Sequence, residues 1–446
     1  MRLQLSLLAL SAALLVTACA DDDTHDDAMG DAGSTTPRAT YHDDVAQIFA
    51  DHCMSCHVEG GVGPFVLDDP EVARVWGETI AASVTARTMP PFGVNNDGSC
   101  NTFQDANWLT DEEIETINAW VEDGMAEGEP PAEELRIPEP PTLVGDDIIE
   151  LRTPAGYVPV PETYPGGEFE DYQCFLVQPD HTQDRFVVGY DVIPGNAATV
   201  HHVLAFEVDP AAFNNGARMA ELDAMSPDQP GWDCLSAAGE DVYPEGVPVS
   251  WAPGVGAVNV PAGTGIRLEA GHALVIQMHY NLANSTDAGE TVVQVALQDE
   301  VAQEGVQNLF DPFLFESFST NPTMLPAGQP SVTYSWEAPM NQALFLEAED
   351  REIDVYGLLP HMHQRGRTMS IDFEVDGVGD VCGADVDRYD FDWQRNYFLE
   401  QPLRMKLSDV MHVTCEWDTT GDTQDIPPGF GTADEMCLVG LYVVPR

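Results

Sequence analysis

Two cysteines and a histidine near the amino terminus have the types and spacing needed to hold a haem. The run CMSCH at residues 53–57 matches the c-type haem attachment motif, in which Cys53 and Cys56 add to the haem vinyl groups and His57 binds the iron. A zinc site would need a second thiol pair, whereas only Cys100 is nearby. A redox CxxC would need a βαβ setting, which the surrounding sequence lacks. The sequence therefore predicts one covalent haem c.

The flanking sequence resembles the helices of class I cytochromes c, and that resemblance implies a methionine as the sixth iron ligand. Met89 lies in the run TMPP and fits this role, with Met125 as the weaker alternative and a plain core methionine as the third possibility. An iron held by His57 and Met89 has a raised potential and no open position. We therefore expect this segment to carry electrons rather than bind oxygen.

Five of the 12 histidines stand where they could bind a metal. On a strand, residues two apart face the same side, so His361 and His363 could hold one ion together. The adjacent His201 and His202 would face opposite sides unless a bulge redirects one of them. Taken singly, His279 or an exposed HxH pair can be incidental.

The order of these motifs resembles the copper type II monooxygenases that hydroxylate peptidylglycine and dopamine. The runs HHV, QMHYN, HMHQRG and DEMC follow one another as in that family, over about residues 147–446. The resemblance implies a first copper, for electron transfer, held by His201, His202 and His279. It implies a second copper, where oxygen and substrate meet, held by His361, His363 and Met436. A soft thioether favours Cu(I), which suits a site that meets O₂ and attacks a C–H bond.

The resemblance fails at the substrate carboxylate. Peptide-amidating members have an arginine before the HxH motif, and an asparagine and a tyrosine after the methionine, as a carboxylate clamp. Here those positions hold Leu359, Leu438 and Gly440, from which no bidentate clamp can be built. We therefore expect a neutral or amine small organic substrate rather than a peptidylglycine.

Six of the nine cysteines are left over for disulfides. Cys415 and Cys437 match the family's bridge beside the methionine. Cys174 matches a family half-cystine whose usual partner is missing, and Cys234 is the substitute that we favour. The pairing of Cys100 and Cys382 stays open.

The first residues have the features of a bacterial lipoprotein signal. Arg2 precedes an apolar run at residues 3–16, and VTAC then resembles the cleavage box that leaves Cys19 as an acylated first residue. The alternative is an ordinary signal peptide with an incidental cysteine. We expect an exported lipoprotein of the outer membrane or the periplasm, or of the cell surface, attached to the membrane only through its lipid.

The overall composition predicts several domains and a strongly acidic surface. The chain has 446 residues, with 17 basic and 76 acidic residues and a net charge of −59. Such a surface argues against nucleic acid and favours a basic redox protein as external electron donor, although adaptation to salt would explain it too.

We divide the chain into a small all-α cytochrome c domain followed by two all-β, jelly-roll-like sandwich domains. Alternating runs such as RFVVGYDVI, separated by turn residues, predict the β part. The boundaries are a signal peptide at 1–18, a disordered acidic tether at 19–40, the haem domain at 41–127, a proline-rich linker at 128–146, and copper domains at 147–305 and 306–446.

These features predict a copper-dependent monooxygenase whose own haem supplies the electrons. The alternatives are a surface electron conduit that binds copper, and a copper-binding protein that keeps the fold without hydroxylating. We expect the haem to dock near the first copper. The remaining histidines are predicted to be surface or core residues, at positions 25, 42, 52, 181, 272 and 412.

Overall fold

A computed structural model describes residues 37–446, apart from positions 62, 132–134, 164–166, 180, 236, 254, 284 and 348–349. The signal peptide, Cys19, His25 and most of the acidic tether therefore lie outside the described residues. Residues 38–446 form one compact unit. Over the described ranges, no helix is both long enough and apolar enough to cross a membrane.

A helical segment precedes the sheets. A π-helical turn, Tyr41–Val45, leads into α1 (Ala46–His52), which is followed by α2 (Pro70–Thr85) and α3 (Asp111–Glu122). A capping box begins α3: Thr110 Oγ1 accepts from the Glu113 N–H, and the Glu113 carboxylate accepts from the Thr110 N–H. Phe49 and Trp120 meet edge to face at 6.1 Å in the core of this segment.

The rest of the described chain consists mostly of strands. They are β1 (Asp147–Arg152), β2 (Glu170–Val177), β3 (Arg185–Ile193), β4 (Val200–Val208), β5 (Trp232–Asp233), β6 (Gly246–Trp251), β7 (Val258–Asn259), β8 (Thr264–Leu268), β9 (Ala273–Asn281), β10 (Val292–Gln298), β11 (Gln303–Phe310), β12 (Val332–Pro339), β13 (Glu352–His361), β14 (Gly366–Val375), β15 (Gly379–Val386), β16 (Tyr397–Lys406), β17 (Val410–Trp417) and β18 (Leu438–Pro445). Short helices lie between them: Ala212–Asn214, α4 (Asn215–Met225), α5 (Pro312–Phe315), Glu316–Phe318 and α6 (Met340–Ala343).

The strands form three sheets that make two sandwiches. A nine-stranded sheet runs in the order β1-β10-β3-β8-β11-β18-β13-β16, with β7 beside β3. A five-stranded sheet, β5-β2-β9-β4-β6, packs on its first half, and a four-stranded sheet, β12-β17-β14-β15, packs on its second half. This agrees with the predicted pair of all-β sandwiches. Each core consists of inward-facing apolar residues from two sheets.

Strand β11 joins the two sandwiches. It pairs in parallel with β8 of the N-terminal sandwich and antiparallel with β18 of the C-terminal sandwich. The boundary that we place between residues 305 and 306 therefore falls within a strand that both halves share. One continuous sheet holds the two sandwiches side by side.

The segment after α2 is fastened to the C-terminal sandwich. A disulfide joins Cys100 to Cys382, the pairing that the sequence left open. Asn95 donates to the carboxylates of Asp385 and Asp387 at 3.1 and 2.8 Å. The other two disulfides are Cys174–Cys234 and Cys415–Cys437, the two pairs that the sequence favours.

Candidate metal centres

The first histidine set is built by two neighbouring strands, β4 and β9. His202 pairs directly with His279, and the register shifts between Val200 and His202, so that His201 is the extra residue of a bulge. The bulge turns both adjacent side chains toward His279. This is the redirection that the pair of adjacent histidines required.

The three imidazoles of this set all point their Nδ1 atoms toward one place. His279 Nδ1 lies 3.2 Å from His201 Nδ1 and 3.2 Å from His202 Nδ1. Three imidazole nitrogens that meet at one point cannot all be satisfied by hydrogen bonds to one another, whereas three lone pairs there suit one metal ion. His279 is 1% exposed, and burial, followed by the neighbouring histidines, lowers the pKa of His202 and His279 well below 6.5. The rings of His202 and His279 are therefore neutral at pH 7, the form that binds metal.

The second histidine set lies where β13 ends. The rings of His361 and His363 are 5.2 Å apart and nearly perpendicular. Nδ1 of His363 donates to the Asp434 carbonyl at 3.1 Å, and Nδ1 of His361 faces Oε1 of Gln394. These acceptors place the proton on Nδ1 and leave the Nε2 lone pair of each ring for a ligand. Burial lowers the pKa of His361 to about 4 and of His363 to about 3.

Met436 lies just before β18, the strand that pairs with the end of β13. The preceding Glu435 accepts a 2.9 Å hydrogen bond from the His363 N–H, and Leu438, two residues later, pairs with His361. Met436 is 6% exposed and packs in a cluster with Leu314, Leu359 and Leu438. Its thioether therefore lies in an apolar setting, on a segment tied to both histidines.

The clamp positions are as apolar as the sequence indicates. A Cβ added to Gly440 would lie 2.9 Å from the Leu359 Cβ, so these two positions pack closely together. The nearest arginine along the chain, Arg365, is engaged by Asp422 at 2.7 and 2.8 Å. Neither feature provides a free guanidinium for a substrate carboxylate.

Sequence reasoning missed the residues that connect the two sets. Phe391 stacks on His201, with ring centroids 4.8 Å apart, and meets His363 edge-on at 5.8 Å. Asp392 Oδ1 lies 3.7 Å from His201 Nε2, and Gln394 contacts His361. All three belong to the loop between β15 and β16. Its sequence, DRYDFDWQRN, mixes aromatic and charged residues, but nothing in it indicates histidine contacts more than 150 residues away.

The CMSCH motif lies at the end of α1. Cys53 and Cys56 are free, whereas the other cysteines of the described chain are in disulfides. Nδ1 of His57 lies 3.0 Å from the Phe65 carbonyl, which leaves Nε2 for a ligand. These groups fit a haem c attached through two thioethers.

The two candidate methionines differ in their surroundings. Met89 is 39% exposed and lines a small cavity with Asn107 and Trp108. Asn107 in turn donates to the carbonyl of His52, which directly precedes Cys53. The sulfur of Met125 instead packs so tightly on Gly77 that a Cβ there would lie 2.3 Å from it. Met89 is therefore the more accessible sulfur on the side of the motif.

The other described histidines have polar partners away from both sets. Each lies near a carboxylate or a carbonyl: His42 near Glu127, His52 near Glu113, His181 near the Glu269 carbonyl, His272 near Glu207 and His412 near Glu337. All five are partly buried, which is neither the surface position nor the core position that the sequence predicts.

Comparison with known proteins relates this chain to copper enzymes. Residues 314–444 match the family "Copper type II ascorbate-dependent monooxygenase, C-terminal domain". Tyramine beta-hydroxylase of Caenorhabditis briggsae is 25% identical over 204 residues, 44% of this chain and 33% of that protein. Dopamine beta-hydroxylase of Rattus norvegicus is 22% identical over 322 residues, 69% of this chain and 47% of that protein.

The chain thus spans less than half the length of these two relatives. Among solved structures, infectious bursal disease virus (Gx strain) aligns with a TM-score of 0.19 and 11% identity, over 69% of this chain and 75% of that one. That level of similarity carries no conclusion about the fold. Residues 314–444, which carry His361, His363 and Met436, are thus similar to the C-terminal domain of the copper type II ascorbate-dependent monooxygenases.

Proposed function

We propose that this chain is a copper-dependent monooxygenase that hydroxylates a C–H bond of a small organic substrate. The balanced reaction is RH + O₂ + two electrons + two protons → ROH + H₂O. The observation that carries the proposal is the pair of donor sets: three converging imidazoles in one sandwich, and in the other two imidazoles whose strand pairs with the strand that directly follows Met436. A structural site would need only one set.

Each set suits a different task. Three imidazoles, His201, His202 and His279, accommodate copper in both oxidation states and fit an electron-transfer site. The set containing Met436 favours Cu(I), and copper bound there would supply the chemistry that activates O₂. The chain's own contribution is orientation. The Asp434 carbonyl and Gln394 hold the His363 and His361 rings with Nε2 free.

The surroundings of Met436 favour a substrate without a carboxylate. Leu314, Leu359 and Leu438 form an apolar cluster with the methionine, and Arg365 is already bound to Asp422. A carboxylate placed there would lose its hydration without gaining a bidentate partner. We therefore propose a neutral or amine substrate and exclude amidation of a peptidylglycine.

We further propose that an N-terminal class I cytochrome c domain feeds electrons to the copper sites. The free thiols of Cys53 and Cys56, the available Nε2 of His57 and the accessible Met89 support one covalent haem c. The disulfide Cys100–Cys382 supports a fixed position for this domain on the C-terminal sandwich. One haem carries one electron, so each turnover would need two deliveries.

The proposed location is the cell envelope of a bacterium. The signal run and Cys19 support an exported lipoprotein held by its acyl chains. The net charge of −59 supports a basic redox protein as the external donor of electrons to the haem.

Oxygen uptake by the copper-loaded, reduced protein tests the proposed activity. Candidate substrates without a carboxylate are added in turn, and O₂ consumption above the substrate-free background is recorded. We expect uptake with at least one substrate class, its loss in His361→Ala, and its retention in His412→Ala, a histidine far from both sets. Uptake that never exceeds the background would favour an electron conduit or a copper-binding protein instead.

A further inference from the structure

One loop touches both histidine sets. This connector loop, residues 387–396, runs from β15 to β16 in the C-terminal sandwich. Its Phe391 ring lies face to face with His201 of the N-terminal sandwich, at 4.8 Å and 27°. The same ring meets His363 of the C-terminal sandwich at 5.8 Å and 82°. A single side chain is therefore in contact with one imidazole of each set.

Other side chains of the connector loop contact the rest of the HxH motif. Gln394 contacts His361 Nδ1. The Tyr389 hydroxyl accepts a 2.9 Å hydrogen bond from the N–H of Met362, the residue between His361 and His363. The loop thus contacts all three residues of the HxH motif, and its Phe391 also contacts the other sandwich.

The shape of the connector loop is itself restrained. Gln394 Nε2 donates to the Phe391 carbonyl at 2.6 Å, and the Trp393 N–H donates to the Asp390 carbonyl at 3.1 Å. At one end, Asn396 donates to the Tyr190 hydroxyl of the N-terminal sandwich at 2.9 Å. At the other end, Arg388 donates to the Arg87 carbonyl at 3.2 Å. Both ends are therefore anchored outside the loop.

We propose that Phe391 is a positioning residue that sets the separation between the two metal sites. The sets belong to different sandwiches, so the packing inside one sandwich does not alone fix the distance between them. A phenyl ring in contact with both rings fills the space between them, and its few rotatable bonds make it a rigid spacer. The inference rests on the proposed function only in assuming that both sets hold copper.

The test compares Phe391→Ala, Phe391→Leu and Phe391→Tyr with wild type and with Phe318→Ala, an exposed phenylalanine outside the loop. Each protein is loaded with copper, metal per chain is measured, and the spin–spin coupling between the two Cu(II) ions is recorded by EPR. All variants should keep the wild-type copper content. The coupling should be weakened and spread over several distances in Phe391→Ala, partly restored in Phe391→Leu and fully restored in Phe391→Tyr.

A second measurement compares the rate of substrate hydroxylation in the same proteins. In Phe391→Ala we expect hydroxylation to fall by roughly 10- to 100-fold, the scale that a displacement of about 1 Å produces at a reacting centre. Wild-type coupling in Phe391→Ala, or loss of copper from it, would overturn the spacer role. If the coupling changes as expected but wild type hydroxylates nothing, the spacer role stands and the proposed function fails.

Discussion

The backbone N–H of His363 donates a 2.9 Å hydrogen bond to the buried carboxylate of Glu435, the residue before Met436. The same carboxylate accepts from the Arg365 N–H at 2.9 Å and from Trp417 Nε1 at 2.8 Å. Burial raises the pKa of Glu435 to about 7. These bonds join the methionine segment to the HxH strand through the protein alone, so the second set is organised before any metal arrives.

Replacement of Met436 should affect copper binding at the second set but not at the first. Met436→Ala is expected to abolish hydroxylation and weaken copper at the second set, because the soft ligand for Cu(I) is gone. Copper at the first set should stay, since its three imidazoles lie in the other sandwich. Metal analysis of wild type should give about two coppers on this ligand count.

The matched control is Met225→Ala, an exposed methionine, which should change neither copper content nor activity. Loss of both coppers in His201→Ala together with loss of none in Met436→Ala would mean that the ligands are assigned to the wrong sites.

Copper should remain bound well below the pH at which free histidine becomes protonated. Protons compete with copper only when a ring can be protonated. Burial lowers the pKa of His361 from 6.5 to about 4 and that of His363 to about 3. As the pH falls from about 8 to about 5, both rings stay neutral and copper is retained. Dialysis at stepped pH with metal analysis checks this, and half-release near pH 6.5 would contradict it.

The disulfide between Cys100 and Cys382 should stabilise the attachment of the helical segment. It closes a loop with a sequence separation of 282 residues, and removing a native disulfide typically costs about 2–5 kcal/mol. The double variant Cys100→Ser with Cys382→Ser should unfold at lower urea concentration, with copper binding preserved. An unchanged urea midpoint would show that the hydrogen bonds of Asn95 hold the segment in place without the disulfide.

Electrons from the haem should reach the copper sites within one molecule. The segment that we propose to carry the haem is docked on the C-terminal sandwich, and Arg388 of the connector loop donates to the Arg87 carbonyl near Met89. Stopped-flow mixing of haem-reduced, copper-oxidised protein without oxygen should give first-order haem oxidation, independent of protein concentration. It should slow in His201→Ala and not in His412→Ala. A rate that rises linearly with protein concentration would mean transfer between molecules.

Much of this architecture is predictable because its signals are local. Thr110 and Glu113, three residues apart, are typical of the start of a helix. Two adjacent histidines on one strand need a bulge if both are to bind the same ion. The resemblance of the motifs HHV, QMHYN and HMHQRG to a known family predicts the two ligand sets.

The remaining features depend on contacts between distant parts of the chain. Phe391 contacts His201, which lies 190 positions earlier in the sequence, and Cys100 reaches Cys382 only because the helical segment docks on β15 and β16. Strand β11 pairs with strands of both sandwiches. The alternation of apolar and polar residues does not show which strands pair, so it does not show that the two domains share this strand. Periodicity and spacing report which residues share a face, but they do not report which faces meet.

Isotopically labelled oxygen shows directly whether this chain transfers an oxygen atom from O₂ to a substrate. Copper-loaded, reduced protein is given ¹⁸O₂ and a substrate that stimulates uptake, and the product is analysed by mass spectrometry. We expect one ¹⁸O atom in the product for each O₂ consumed, and no labelled product with Met436→Ala. Unlabelled substrate recovered after O₂ has been consumed would contradict hydroxylation by this chain.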